Sequence, residues 1–434
     1  MKQEKIQEVI LQNQYHLQQL ESRTARELRM EEIPQKASVL IGIRRCGKST
    51  YIRKLLADTI EDKTLICWLD FADDRLVALQ NEPPAQIADA YYQLFPDYHE
   101  KTVYFFFDEI QLVQDWALFV NRLQNTEKCH IYITGSSARL LSKELATELG
   151  GRTLSQELFP FSFNEYLAYH GLETPHEVIA NSDKKNALFA QYKKWGGFPE
   201  VLHISDEFQK TRYLQNLAMD VITRDIAMRH KIPDLQLLHK FMLMLLGSMG
   251  KSVTVNKLRQ RLLGMQYKTS AEWISKFLAY FEDAYLIFTL EILSPNAAVR
   301  AVNPKKVYCA DHALAIASDF KMFDNAGAIL ENMVFVSLRR KTDEIHYYKT
   351  ASGYEIDFVT GTEGNLSLYQ VCVDLSDEDT LRRELRAIEV ACAELNCKTA
   401  TLITEDEEGS VQLDRCTVEI VRAVDWVRRQ EIFR

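Results

Sequence analysis

An α/β chain is expected, with a parallel-sheet core in its first part, a mainly helical middle and a smaller α/β domain at the C-terminus. Three observations carry this. A short apolar run, Val39-Leu40-Ile41, leads into a glycine-bearing loop and then into Tyr51, Ile52, Leu55 and Leu56 at helical spacing. A second apolar run, Val103-Tyr104-Phe105-Phe106-Phe107, ends in two carboxylates, Asp108 and Glu109. Extended and helical patterns alternate again from Glu331 onward. At 434 residues the chain exceeds one ordinary core. Domains are expected over residues 1–200, 201–315 and 316–434.

The loop reads Gly42, Ile43, Arg44, Arg45, Cys46, Gly47, Lys48, Ser49, Thr50, and so fills the pattern Gly, four residues, Gly-Lys-Ser/Thr. Glycines let the backbone turn its N–H groups onto a triphosphate, Lys48 reaches the β- and γ-phosphates, and Ser49 supplies an oxygen to Mg²⁺. The helix that follows adds its positive end. By chance alone the bare pattern arises in roughly one chain in a hundred of this length. The strand before it and the helix after it make it a site for ATP with Mg²⁺.

Composition narrows the class. With 47% hydrophobic and 26% charged residues this is a folded chain. A net charge of −9 and a pI near 5.7 argue against coating nucleic acid through the overall field, leaving only a local basic face for such contact. The eight cysteines include no C-x-x-C and no His/Cys spacing of a zinc site, so reduced thiols in a cytoplasmic protein are expected. No run approaches the roughly 18 apolar residues of a membrane helix, the strongest being Phe241 to Leu246, so no membrane partner is expected. Met1-Lys2-Gln3-Glu4-Lys5 has no apolar stretch behind it, as a secretory leader requires.

Along the chain, residues 5–32 read as amphipathic helix before Pro34, either covering one edge of the sheet or sharing in holding adenine. Thr64 to Phe71 is a buried strand, followed by the acidic loop Asp73-Asp74-Arg75; Ala85 to Leu94 is helical and stops at Pro96. The strand 103–107 then delivers its carboxylates at its C-terminal end, where open α/β sheets bind ligands. Asp108 suits the shell of the Mg²⁺ that Ser49 touches, and Glu109 suits the general base for the attacking water. A strand ending in Asp-Glu also arises as a plain solvated end; its position downstream of the loop favours the chemistry. The adjacent Glu points to ATP hydrolysis rather than to small-molecule phosphorylation. A further strand, His130 to Gly135, ends in Ser136-Ser137, which either sense the γ-phosphate or cap a helix over Ala138 to Leu145. Arg152, after Gly150-Gly151, either is offered to a phosphate, from this subunit or from a neighbour in a homo-oligomer, or is an ordinary exposed arginine.

The segments G-I-R-R-C-G-K-S-T, F-F-F-D-E-I-Q, I-T-G-S-S-A-R-L-L-S, G-G-R-T-L-S-Q-E-L-F-P-F-S-F-N-E-Y-L and W-G-G-F-P-E-V together resemble the AAA-type ATPases of bacteria and archaea that join an ATPase core to a C-terminal domain of unknown function. The resemblance covers nearly the whole chain. It implies an AAA-type P-loop NTPase core, places Arg152 in the block that closes that core, and makes Gly197-Phe198-Pro199 a counterpart of a Gly-x-Pro turn near the base and ribose. A simple turn after Trp195 explains the same residues.

Asp206 to His230 reads as helix, with Arg224 either facing phosphate or paired with Asp225 or Asp220. Leu235 to Leu246, Thr254 to Leu263 and Ser270 to Phe281 are helical, and extended runs Tyr285 to Leu293 and Lys306 to Cys309 follow; the order resembles a winged helix. Residues 251–276 hold Lys251, Lys257, Arg259, Arg261, Lys268 and Lys276 against Glu272 alone, as DNA phosphates require. Winged helices in such ATPases also pack on the nucleotide domain. Beyond Glu331 the order of helix, hairpin around Ser352-Gly353, strand, helix and strand resembles a restriction-endonuclease-like fold, with Glu331 and Asp357 in acidic positions. Gln370-Val371-Cys372 stands where that chemistry needs an acid and a lysine, so no cleavage is expected. The expected function is Mg²⁺-dependent ATP hydrolysis driving a conformational switch or remodelling step. The alternative is a nucleotide-responsive adaptor for DNA or a protein partner, with little turnover.

Overall fold

The apolar runs at 39–41, 66–69, 103–107 and 131–133 pair side by side in a computed structural model that describes residues 2–20, 24–31, 33–81, 84–136, 151–318, 325–362 and 364–431. The chain forms two units, Met1–Leu158 and Phe159–Arg434.

The first unit runs α1 (Lys2–Gln18), β1 (Ala37–Ile41), α2 (Lys48–Thr59), β2 (Ile66–Asp70), α3 (Gln86–Leu94), β3 (Val103–Asp108), α4 (Trp116–Thr126), β4 (Cys129–Gly135) and β5 (Thr153–Glu157). Its five strands are all parallel, in the order β2-β3-β4-β1-β5. Continuous burial along β1 and most of β3 follows from helices on both faces. β5, T-L-S-Q-E, has no apolar pattern and is half-buried throughout; pairing with β1, from Ala37 opposite Thr153 to Ile41 opposite Glu157, makes it a strand. Because α2 carries the chain from β1 to the far edge at β2, while β4 returns beside β1, the order reverses at β1. Parallel sheets bind ligands at the carboxyl end of such a reversal.

The free edge of β2 is covered by α1, as the first of the two N-terminal readings has it. Asn13 Nδ2 donates to Trp68 O at 2.8 Å, and Gln14 Nε2 donates to Ile66 O at 2.9 Å and Thr64 O at 3.1 Å. Side-chain amides thus satisfy carbonyls that a further strand would otherwise take.

The second unit begins with α5 (Phe163–Tyr169), α6 (Pro175–Ala180), α7 (Ser182–Trp195) and α8 (Glu207–Asp220). Much of the F-P-F-S-F-N-E-Y block is accounted for by the cap of α5: Ser162 and Glu165, both buried, exchange side-chain-to-backbone bonds at 3.0 Å in a capping box. After α8 the helix continues as a π-helical segment, Val221–Met228. Then come α9 (Leu235–Leu246), β6 (Ser252–Val253), α10 (Val255–Gly264), α11 (Ala271–Asp283), β7 (Ile287–Leu290), α12 (Ala297–Val302) and β8 (Lys305–Cys309), with an antiparallel sheet in the order β6-β8-β7.

The rest is α13 (His312–Ser318), α14 (Ala326–Arg339), β9 (Ile345–Lys349), β10 (Glu355–Thr362), β11 (Asn365–Val371), α15 (Glu378–Leu395), β12 (Thr399–Thr404), β13 (Gly409–Gln412), β14 (Thr417–Arg422) and α16 (Ala423–Glu431). Its six strands form a mixed sheet in the order β13-β14-β12-β11-β10-β9. Adjacent residues of β10 serve opposite faces: Phe358 meets Tyr308 and Phe335, while Val359 joins Ile388, Ala391 and Cys392 of α15. No helix among the described residues is long and apolar enough to cross a membrane.

Replacing Asn13 by Ala leaves Trp68 O without this partner on a buried edge. We expect a loss of about 1–2 kcal/mol in urea unfolding of the first unit; an unchanged midpoint sinks the edge-cap account.

Candidate nucleotide site

The loop between β1 and α2 is held at its root by Leu158, whose N–H donates to Ile41 O at 2.7 Å. Gly42 follows, and a Cβ there would overlap the Leu158 carbonyl oxygen, so only glycine lets β1 turn into the loop. Arg45 (φ 63°) and Gly47 (φ 103°) are both left-handed, a turn that directs successive N–H groups inward. Gly47 caps α2 without a side chain, leaving the first N–H groups of that helix to a ligand. The Lys48 ammonium is buried and lies across the loop, donating to Gly42 O at 2.9 Å and Ile43 O at 3.0 Å. Ile43 and Cys46 face the interior, Arg44, Ser49 and Thr50 are half-buried, and Arg45 is exposed.

The carboxyl ends of β2, β3 and β4 converge beside it. Asp108 is buried, accepts hydrogen bonds from the Thr134 hydroxyl and from Ser49, and lies near Lys48. Burial, and then the nearby Asp70, push its carboxyl above the ordinary aspartate range, while Thr134, Ser49 and Lys48 pull it back. Asp70 is opposite Asp108 in register and is raised as well, first by burial. Glu109 sits in the left-handed region (φ 53°), which turns its side chain off the strand path; its N–H lies 3.4 Å from Thr134 Oγ1, and Gln111 Nε2 donates to its carboxylate. The donors are hard oxygens, one hydroxyl and two carboxylates, beside a buried lysine and a loop with inward N–H groups. This set fits Mg²⁺ with a triphosphate: Ser49 and Asp108 would hold the metal and the loop with Lys48 the phosphates.

Three contributors escaped the sequence. Asp70 had a legible signal, since I-C-W-L-D follows the same pattern of apolar strand and terminal Asp as F-F-F-D. Thr134 lies two residues before Ser136, which is buried at the end of β4. Arg26 had no signal; its guanidinium donates to Cys46 O at 2.9 Å, and Leu28 O accepts from Tyr51 at 2.9 Å, tying the N-terminal lead-in to the loop. Ser137, the helix expected over Ala138 to Leu145, and Gly150 lie outside the described residues.

One expected site residue falls elsewhere within its own unit, and the turn expected around Pro199 has a local explanation within the second unit. Arg152 precedes β5 at the N-terminal end of the strands, opposite to the loop, and its guanidinium donates to Asn121 (3.2 Å) and Asn125 of α4. A phosphate contact from its own subunit is therefore corrected: the strand length separates the two ends. Pro199 opens a short 3-10 turn over Pro199–His203, and the glycines before it are explained by Asp311. Gly197 N–H donates to Asp311 Oδ2 at 2.7 Å, and a Cβ on Gly196 or Gly197 would overlap Asp311 or the Phe161 carbonyl. Asp311 also accepts from Ala313 N–H at 2.8 Å, and burial raises its carboxyl. Arg224 is exposed; Asp225 pairs instead with Arg229, one helical turn on, at 3.7 Å.

A family described as an AAA domain matches residues 34–167, and two described as domains of unknown function match 186–323 and 326–422. An uncharacterized protein of Methanocaldococcus jannaschii is 32% identical over 92% of this chain and 90% of its own length. One of Haemophilus influenzae is 28% identical over 90% of this chain and 93% of its own. Among solved structures, a Walker-type ATPase of Pyrococcus abyssi is similar over 65% of this chain and 90% of that one, at 16% identity and a TM-score of 0.41.

Substituting Asp311 by Ala strands the Gly197 and Ala313 N–H groups. We expect about 2–4 kcal/mol lost from the second unit in denaturant unfolding, with ATP affinity within twofold of wild type. A selective loss of ATP binding in well-folded protein would show that Asp311 acts on the nucleotide and not only on the packing of the second unit.

Proposed function

The chain belongs to the AAA-type P-loop ATPases that carry a C-terminal domain of unknown function, and from that premise we propose that it hydrolyses ATP to switch the conformation of its second unit. What carries the proposal is the meeting of Ser49 and buried Asp108 beside Lys48, with Glu109 immediately after the strand. Lys48 and the loop N–H groups would bind the β- and γ-phosphates, and Ser49 and Asp108 would hold Mg²⁺, which when bound would supply charge neutralisation on the phosphate oxygens. Glu109, steadied by Gln111 and turned off β3 by its left-handed backbone, orients the attacking water and takes its proton. Thr134 fixes the Asp108 carboxylate and keeps the two acids in separate roles. Asp70 adds negative charge on the far side of Asp108, which strengthens the grip on a divalent ion.

A second reading, an adaptor that responds to nucleotide by engaging DNA, is favoured by one observation. Lys251, Lys257, Arg261, Lys268 and Lys276 are exposed around α10 and α11, while Ile274 and Phe277 of α11 are buried. In this reading the helices form a winged-helix-like module that lays its basic side on phosphates. The six-stranded sheet is then an inactive, restriction-endonuclease-like docking module.

Steady-state ATP turnover separates the readings. Glu109→Gln is expected to lower turnover at least a hundredfold while keeping ATP affinity, and Lys48→Ala to lose ATP binding. Equal rates in wild type and Glu109→Gln reject the assigned base. No rate in wild type, with or without duplex DNA, leaves the adaptor; loss of DNA binding in Lys257→Glu/Arg261→Glu then supports it.

A further inference from the structure

Three lysines and a histidine gather where the end of α5 meets α7 and α8, with a single carboxylate paired among them. His170 ends α5, and its ring lies against Tyr166 and Tyr169, with centroids 4.8 Å and 5.2 Å away. Lys184, in the first turn of α7, donates to the His170 carbonyl at 2.8 Å and so caps α5. At the far end of α7 is Trp195, and two ammoniums stand over its indole: Lys194 at 4.9 Å from the centroid, and Lys210 of α8 at 5.2 Å. The indole quadrupole attracts a cation, but two on one ring repel each other.

Negative charge is scarce here. Lys194 pairs with Glu207 at 2.7 Å, whereas Lys184 and Lys210 have no carboxylate partner among the described residues. Glu177 and Asp206, the acids at the starts of α6 and α8, are taken up by helix caps. The imidazole shows the same shortage. His170 Nε2 is buried and meets no hydrogen-bonding partner, where buried polar side-chain atoms ordinarily have one. Burial, and then Lys184 and Lys210, hold His170 below the usual histidine range. Burial also lowers Lys210, with Lys194 adding to it against the pull of Glu207.

We propose that His170, Lys184 and Lys210 form a binding site for one dianionic phosphate group, carried by free inorganic phosphate or by a phosphomonoester. Three lysines against Glu207 leave two positive charges, which a phosphate dianion matches and a carboxylate only halves. Each ammonium has three N–H donors, and only one of those on Lys184 is used by the His170 carbonyl. Donors from α5, α7 and α8 suit a tetrahedral group with several terminal oxygens, and lysine serves phosphate as a point charge on a flexible stem. A bound phosphate would give His170 Nε2 its missing partner and fasten the three helices together. All three residues lie in the second unit and none in the phosphate loop, so the site stands whether or not the chain hydrolyses ATP.

The test is calorimetric titration of inorganic phosphate into full-length Lys48→Ala protein, whose phosphate loop is disabled, and into the same protein carrying Lys210→Met or His170→Phe. Met keeps the stem on Trp195, and Phe keeps the ring against the two tyrosines. The expected result is one phosphate per chain, with affinity lowered about tenfold or more by either substitution, and acetate about tenfold or more weaker than phosphate. No phosphate binding by Lys48→Ala, an affinity unchanged in either variant, or acetate binding as tightly overturns the proposal. Glycerol 3-phosphate distinguishes the sources: binding at least as tight as phosphate supports a phosphomonoester site, and weaker binding supports a site for the free ion. Should a variant fail to fold, acetylation mapped by mass spectrometry on the Lys48→Ala protein decides. Slower labelling of Lys184 and Lys210 with phosphate present supports the site, and unchanged labelling overturns it.

Discussion

Parallel strands end together, and that constraint organises the first unit. Because β2, β3, β4 and β1 all run the same way, Asp70, Asp108, Thr134 and Gly42 arrive at one edge of one sheet. There the loop meets acids that lie far from it in sequence. Burial of Asp108 is tolerable only because Thr134 and Ser49 donate to it and Lys48 stands near. The same geometry removes Arg152 from the site, since a residue before a strand lies at the other edge.

The second unit solves burial of charge differently. Asp311 is satisfied by backbone N–H groups, and the price of its place in the core is a pair of glycines, Gly196 and Gly197, that no larger residue can replace. Lys306 is satisfied by side chains from two other elements. Breaking such a buried group by removing one partner is costly, whereas the intact set is nearly neutral in stability. Both clusters therefore specify where elements dock more than they raise stability.

Local order in the sequence was widely legible because it rests on period and spacing. β3, the hairpin of β9 and β10, and α15 lie close to their expected places, since β3 is one continuous apolar run, the hairpin strands flank a Ser-Gly turn, and the apolar residues of α15 recur at helical intervals. β5 and β13 were not legible: they are polar strands created by pairing, and pairing is a property of the partner. The segment expected as one helix to His230 becomes π-helical at Val221–Met228, a change without a compositional mark.

By itself, the sequence determined the phosphate loop, the carboxylates at the end of β3, and the absence of charged ligands at Gln370 and Cys372, because each is written within a few consecutive residues. Tertiary structure alone decided that Asp70 and Thr134 join the site, that Arg26 reaches Cys46, that Pro199 belongs to a turn built on Asp311, and that Lys306 meets Glu331, Glu355 and Asp357. The physical reason is shared. Each depends on which side chain from a distant strand or helix arrives within about 3 Å of a buried charge, and only the packing of those elements sets that distance.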